Sequence, residues 1–411
     1  MFRSIGWGLA LPRRDRRTIL ADINSANVSA GMTAGLFYAF GATPVLLDSM
    51  ASLHLSPGAA ASWFFVTFMT SALGSLYFAL RFRQPIPIGW TLAGLVFLVS
   101  NGDRFSHAEI AGACLVAGVI IVALGVLGVA ERLMRWLPLP IVMGMFAGSV
   151  LGTVGVAFKN LETQPFVVGS AIAGYVGARA LNRGWCPPMA GAFLTGILAS
   201  VVTGQVTPAA FHWSAPSAIP LRPAFDPSSI LTLSAPLVIM AIGIGNVQGL
   251  GFLTSQGYRP PVRLVTIWLG LTTLVNASFG GHVAAIQNNG SVVLGGPDAG
   301  PPDSRYMSSV IASMCAALLG LCAACAGTLL AVLPGGFVPA LAGLALLSAL
   351  MDALRRSTQT ELPTGAFFAL AIAASRVTLL GIGAAFWALI GGLVVSFVLE
   401  RPALHKAWQT A

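Results

Sequence analysis

Three consecutive side-chain amides, Gln287-Asn288-Asn289, follow His282 within an uncharged run, residues 264–297. Amides donate and accept hydrogen bonds but neither titrate nor attack, so their chemistry is recognition of a polar ligand. His282 adds a group that gains or loses a proton near neutral pH. A second polar set, Asn246 and Gln248, sits in Ala241-Ile242-Gly243-Ile244-Gly245-Asn246-Val247-Gln248-Gly249. Glycines there, Gly245 among them, let a backbone or a ligand approach closely. Rings suited to an apolar ligand body are Tyr38, Phe40 and Trp90, the last flanked by Gly89 and Thr91. Each assignment has a plainer alternative. The amides bond only between helices, the glycines only pack, the rings only fill a core, and the histidine only caps a backbone break. Polar groups in apolar segments cost energy and usually mark a pathway, and three adjacent amides exceed what packing needs. The sequence carries no paired carboxylates, nucleophile–base arrangement, phosphate loop or metal-ligand spacing, so neither an enzyme nor a metal or cofactor is implied. Cys322 and Cys325 form a CxxC pattern inside an apolar helical run, where packing is the reading, and an odd total of 5 Cys implies no disulfide framework.

The elements that must position these residues are membrane helices. Of 411 residues, 56% are apolar and 9% charged, against about 25% charged in soluble chains. That excludes a water-soluble fold. The net charge is +9, with Lys159 and Lys406 the only lysines among 22 basic residues. In a membrane chain this bears on orientation rather than on a nucleic-acid partner. Charged residues divide the chain into uncharged runs, and a span needs roughly 20 apolar residues. The run 306–351 breaks at Pro334-Gly335-Gly336 into two spans, and 264–297 fits one full span and one half-span. The reading is an all-α polytopic protein with 14 elements, several of them short. With a cytoplasmic N-terminus, 18 basic residues fall on the inner side and 4 (Arg104, Lys159, Arg222, Arg376) outside, which agrees with the positive-inside rule and places both termini in the cytoplasm. The basic stretch Arg13-Arg14-Asp15-Arg16-Arg17 reads as a cytoplasmic anchor rather than part of a cleavable signal peptide. Asp48, the deepest carboxylate, reads as interfacial, and elements eight and ten contain no Asp or Glu.

Weak self-similarity links Leu137-Pro138, Val142 and Ala147-Gly148 to Leu333-Pro334, Val338 and Ala342-Gly343. Two copies of seven spans must lie upside down relative to one another, a 7+7 inverted repeat of the kind secondary transporters use. Segments 3 and 10 are the broken helices. Gln84-Pro85-Ile86-Pro87-Ile88-Gly89-Trp90-Thr91 cannot start as a helix, because each proline restricts the residue before it; a helix can begin around Gly89 to Thr91. Phe279-Gly280-Gly281-His282-Val283 is the counterpart, leading into Gln287-Asn288-Asn289-Gly290. Two half-helices entering from opposite sides aim their N-termini, each with roughly half a positive charge, at one site that favours an anion or an acceptor-rich ligand.

Ser62-Trp63, Arg81-Phe82-Arg83-Gln84-Pro85 with Ile88-Gly89-Trp90-Thr91, Glu131-Arg132-Leu133-Met134, Phe279-Gly280-Gly281-His282, Leu341–Leu347 and Gly381-Ile382-Gly383-Ala384-Ala385-Phe386-Trp387 together resemble blocks of the bacterial benzoate transporter family, from about Asn27 to Glu400. That family consists of benzoate/proton symporters and is similar in architecture to nucleobase transporters. The resemblance implies a core domain (segments 1–4, residues 28–130, and segments 8–11, residues 229–333) and a gate domain (segments 5–7, residues 131–204, and segments 12–14, residues 334–400). An arm at 1–27, an inter-repeat loop at 205–228 around Phe211-His212-Trp213, and a tail at 401–411 complete the chain. It also implies motion of core against gate and an inner-membrane location, while a gate-domain homodimer follows only by analogy with related carriers. Two departures fall at the expected site. The family's Gln-Asn pair in segment 8 reads Gly245-Asn246 here, and its Ala-Ile-Asn-Leu after Phe-Gly-Gly-His reads Val283-Ala284-Ala285-Ile286. Where nucleobase carriers place a Glu, Gln287 stands, which removes an acid from any proton relay.

The expected function is proton-coupled uptake of a small aromatic carboxylate such as benzoate. The substrate-binding residues expected are Tyr38, Phe40, Gly89, Trp90, Thr91, Gly245, Asn246, Gln248, His282, Gln287, Asn288 and Asn289, with His282 also the candidate for proton coupling. The alternatives are a carrier of a nucleobase or other polar heterocycle, and an uncoupled anion channel. The partners implied are this substrate, the proton and membrane lipid.

Overall fold

A computed structural model of the protein describes residues 19–102, 104–129, 138–181, 188–206, 215–325, 332–377, 379 and 384–410. Most of the N-terminal arm, Glu131-Arg132-Leu133-Met134, Cys186, Phe211-His212-Trp213 and Gly381-Ile382-Gly383 lie outside the described residues. Among the described residues the chain forms about 15 helices and two three-residue strands. The first half runs α1 (Ser25–Ser52), α2 (Pro57–Phe82), β1 (Ile88–Trp90), α3 (Leu92–Gly102), α4 (His107–Leu127), α5 (Leu139–Lys159), α6 (Pro165–Leu181) and α7 (Pro188–Val202). The second runs α8 (Pro227–Thr254), α9 (Val262–Ser278), β2 (Ala284–Ile286), α10 (Asn288–Gly295), α11 (Tyr306–Leu321), α12 (Phe337–Thr358), α13 (Pro363–Ser375), α14 (Ala384–Leu399) and α15 (Arg401–Thr410). Six of these (α1, α2, α4, α5, α8 and α12) are long and apolar enough to cross a membrane.

The strands replace the first part of the third and tenth elements, and they cross antiparallel: Ile88 pairs with Ile286, Gly89 with Ala285 and Trp90 with Ala284. Pro85 and Pro87 explain β1, since proline holds its predecessor extended. Buried amides need partners, and the crossing supplies them. Thr91 N–H donates to the Val283 carbonyl (3.1 Å) and Gln287 N–H to the Pro87 carbonyl (3.1 Å). Hydroxyls complete the set: Ser75 Oγ accepts from Ile88 N–H (2.8 Å) and Thr273 Oγ1 from Ala284 N–H (3.0 Å).

Of Phe279-Gly280-Gly281-His282-Val283 in the second half, only His282 and Val283 belong to the extended segment that leads into β2. Phe279, Gly280 and Gly281 close α9 instead, with Gly281 N–H on the Asn276 carbonyl (2.7 Å) and Gly280 at φ +83°. They are a helix C-cap, a position that favours glycine, and the extended segment starts after them. In the first half the strand takes up Ile88–Trp90, so α3 begins at Leu92, just past the expected start. Cys322 lies in a turn past the end of α11 rather than within a helical run, and both Cys322 and Cys325 are free thiols. At the far end of α10, Arg305 donates to the Gly295 (3.0 Å) and Gly300 (2.6 Å) carbonyls, a cation where the helix dipole is negative.

Two packing groups result. In one, α4 lies on α9, α11 lies on α1 and α2, and α8 lies on α10. In the other, α5 lies on α12 and α13, α6 on α7, and α13 on α14. Small residues draw the backbones together, as lipid-embedded helices require: a Cβ at Gly118 of α4 would press on Leu274 of α9, and one at Gly148 of α5 on Leu370 of α13. The groups meet where α1, α3 and α8 touch α5 and α12.

Candidate functional site

The seam between the groups opens into a cavity of about 200 Å³. Trp90, Thr91, Leu92 and Ala93 line it together with Ala285, Ile286, Gln287, Asn288 and Asn289 of the paired unit. Gly245 and Gln248 of α8 and Phe37 and Ala42 of α1 close a side. Both latter helices contain π-helical turns here, at Tyr38–Ala42 and Met240–Asn246, a distortion frequent at functional positions.

The two helix starts differ. Thr91 Oγ1 accepts from Gly94 N–H (3.0 Å), so α3 is capped by its own side chain. No side chain caps the start of α10, and its first N–H groups have no partner within the helix. A chain of amides runs beside it: Asn288 Nδ2 donates to Gln248 Oε1 (3.0 Å), and Gln248 Nε2 approaches Met143 Sδ (3.8 Å). Gln287 Oε1 and Asn288 Oδ1 are buried without a partner. Turning both amides over lets Gln248 Nε2 donate to Asn288 Oδ1 and frees Asn288 Nδ2, at the loss of the contact with Met143 Sδ, so Asn288 can present either an acceptor or a donor.

Gly245, Gln248, Trp90, Thr91, Gln287, Asn288 and Asn289 are thus gathered on one cavity. Gly89 supports them from behind, where a Cβ would collide with the Gln287 side chain. Tyr38 lines a separate small chamber of about 10 Å³ together with Ser71, Ser309 and Ser313, and Trp90 and Gln287 form the wall common to both spaces. Three residues lie elsewhere. Phe40 turns to Phe193 of α7, with ring centroids 4.9 Å apart. Asn246 is buried and donates to Thr266 Oγ1 of α9 (3.2 Å). His282 is fully buried, its Nδ1 accepting from Trp63 Nε1 (3.2 Å), and it does not line the cavity. His107 completes that layer, stacked on Trp63 at 5.8 Å with Nε2 2.9 Å from the Gly280 carbonyl.

The sequence reading omitted the wall from the second packing group: Met143 and Phe146 of α5, and Ser348, Ala349 and Asp352 of α12. Asp352 Oδ2 accepts from Arg356 Nε at 2.8 Å. One turn earlier, Ser348 Oγ accepts from Arg179 of α6 (3.2 Å). A second cavity of about 180 Å³ lies along the same seam, lined mostly by apolar groups such as Leu47, Phe64, Phe193 and Leu319.

The fold is that of solved transporters. The transmembrane domain of the cyanobacterial bicarbonate transporter BicA aligns with TM-score 0.60 at 15% identity, covering 90% of this chain and 97% of that one. The murine Solute Carrier 26 family member A9 anion transporter in its inward-facing state aligns with TM-score 0.61 at 16% identity, covering 95% and 70%. In sequence, the chain is 25% identical over 389 residues to the benzoate membrane transport protein of Acinetobacter baylyi, covering 94% of this chain and 98% of that protein. It is 29% identical over 342 residues to the inner membrane protein YdcO of Escherichia coli, covering 82% and 86%. The family model described as benzoate membrane transport protein matches residues 21–398. The chain therefore belongs to the benzoate membrane transport family, and is a multi-pass membrane transporter rather than an enzyme.

Proposed function

We propose that this protein carries a small aromatic carboxylate, benzoate or a close relative, across the inner membrane together with a proton. The observation that carries this reading is the shared cavity that an uncapped helix start, the Gln287-Asn288 amides and Trp90 line together. Free N–H groups at a helix start favour a carboxylate, and the Trp90 ring, edge-on to Phe68 at 4.8 Å, offers an apolar surface for an aromatic body. A volume of about 200 Å³ suits one such molecule. The antiparallel crossing at the third and tenth elements supports two seven-segment halves of opposite orientation, and the 18 to 4 split of basic residues supports both termini in the cytoplasm. The two packing groups support a core (α1–α4, α8–α11) moving against a gate (α5–α7, α12–α14), exposing the cavity alternately to each side. One proton with one monovalent anion moves no net charge, so a pH gradient drives the cycle and the membrane potential does not.

The test is uptake of labelled benzoate into proteoliposomes. Accumulation under an inward proton gradient that vanishes when the gradient is collapsed is expected; uptake indifferent to the gradient would overturn the coupling. A nucleobase is the second reading, favoured by the unpartnered Gln287 Oε1 and Asn288 Oδ1, which suit ring N–H donors. Uracil or xanthine competing more strongly than benzoate would select it.

A further inference from the structure

We infer that Asp352 takes up the co-transported proton and acts through its exchangeable pair with Arg356. The inference rests on the anion-carrier reading above and names the group that makes it a symporter. Among the described residues lining the cavity, Asp352 has the one titratable side chain. It enters from α12 and, half exposed, lines the same cavity as Trp90 and the amides, so it shares that space with whatever the helix starts hold.

The charges around it favour exchange. Asp352 Oδ2 and Arg356 Nε are 2.8 Å apart, yet the two side chains keep 50% and 44% of their surface exposed. An exposed pair of this kind is weak and gives up a partner readily. The elements packed on α12 bring few other charges near. From α6, Arg179 reaches Ser348, one turn before Asp352. The charged residue of α5 is Lys159, beyond Ala157, which packs at Gly343, so it belongs to the opposite end of α12. The charged residue of α1 is Asp48, past the Ala42 that lines the cavity. Neither α7 nor α13 carries one.

The step balances simply. An incoming carboxylate adds a second negative charge to the cavity that Asp352 lines, and two carboxylates in one site favour protonation of one of them. A proton from water binds an Asp352 oxygen, Arg356 turns to the substrate anion, and proton and anion leave together when the cavity opens on the other side. No bond to the substrate forms. His282 holds no such place, since it is sealed from the cavity and its Nδ1 is occupied by Trp63.

The experiment compares wild type, Asp352→Asn, Asp352→Glu and His282→Gln in proteoliposomes, reading gradient-driven benzoate accumulation and, separately, benzoate exchange at equal pH. With a one-unit inward pH gradient, wild type reaches about tenfold accumulation. Asp352→Asn exchanges benzoate but accumulates none, Asp352→Glu recovers accumulation, and His282→Gln accumulates. Asp352→Asn accumulating like wild type overturns this inference alone. Wild type that does not exchange benzoate overturns the substrate reading, and this inference with it. Arg356→Gln is the second variant, needed if Asp352→Asn does not fold. Its gradient-driven benzoate accumulation should fall below that of wild type, because no guanidinium remains to turn from Asp352 to the substrate anion. Wild-type accumulation by this variant contradicts the assignment.

Discussion

β1–α3 and β2–α10 share a backbone plan, a strand of three residues feeding a short helix at one crossing, but they present different chemistry to the cavity. The first unit closes its own helix start with Thr91 and offers Trp90, Leu92 and Ala93. The second leaves its helix start open and offers Gln287, Asn288 and Asn289. Two related backbones thus divide the work: one is an apolar wall, the other a set of hydrogen-bonding groups. A ligand with an apolar body and a polar end matches that division better than a ligand polar all round.

The comparison can be broken at each unit in turn. Asn288→Ala removes a group from the open unit and should have the largest effect. Losing a hydrogen bond to a charged ligand costs about 1.5–3 kcal/mol, so benzoate affinity in calorimetric titration should fall from about tenfold to a hundredfold without loss of fold. Gly89→Ala comes next. Its Cβ would displace Gln287, and overpacking costs about 1–3 kcal/mol; affinity should fall although no ligand-facing group has changed, and an unaltered titration would refute the support role of Gly89. Thr91→Ala removes the cap of α3. A lost cap costs about 1 kcal/mol, so thermal stability in detergent should drop modestly while affinity changes less than for Asn288→Ala. The reverse order would mean that α3, not α10, meets the ligand's polar end.

The smallest effect lies away from the cavity, at Glu400 between α14 and α15. Burial opposes its ionisation, but N–H groups of Gly365 and Thr364 and the Ser396 hydroxyl outweigh it and hold the carboxyl below the usual range. A carboxylate lowered on folding stabilises at pH values above its unfolded pKa, and that contribution is lost as pH falls through the lowered folded value. Glu400→Gln should therefore unfold at lower temperature than wild type at pH 7, with the gap closing in strong acid. A gap constant with pH would discount the charge.

Much of this arrangement is legible in the residues. Pro85 and Pro87 announce an extended segment, and the amides at 287–289 announce a polar wall in an apolar run. What the chain hides is direction and distance. Asn246 is adjacent to Gly245 yet faces α9, because helical neighbours point about 100° apart. Phe40 is two residues from Tyr38 and packs on another helix. Gly280-Gly281 reads as the break but closes α9, since glycine serves both purposes. Asp352 follows the uncharged run 306–351, and nothing in the spacing of charges marks it; only the packing of α12 puts it at a cavity lined by segments hundreds of residues away in sequence.

The most direct measurement is an experimental structure with 4-iodobenzoate bound, locating iodine by anomalous scattering. The account predicts one site in the cavity between Trp90 and Gln287-Asn288, with the carboxylate at the start of α10. Iodine found instead in the apolar cavity beside Phe193 and Leu319, with the amide-lined cavity unoccupied, would contradict it.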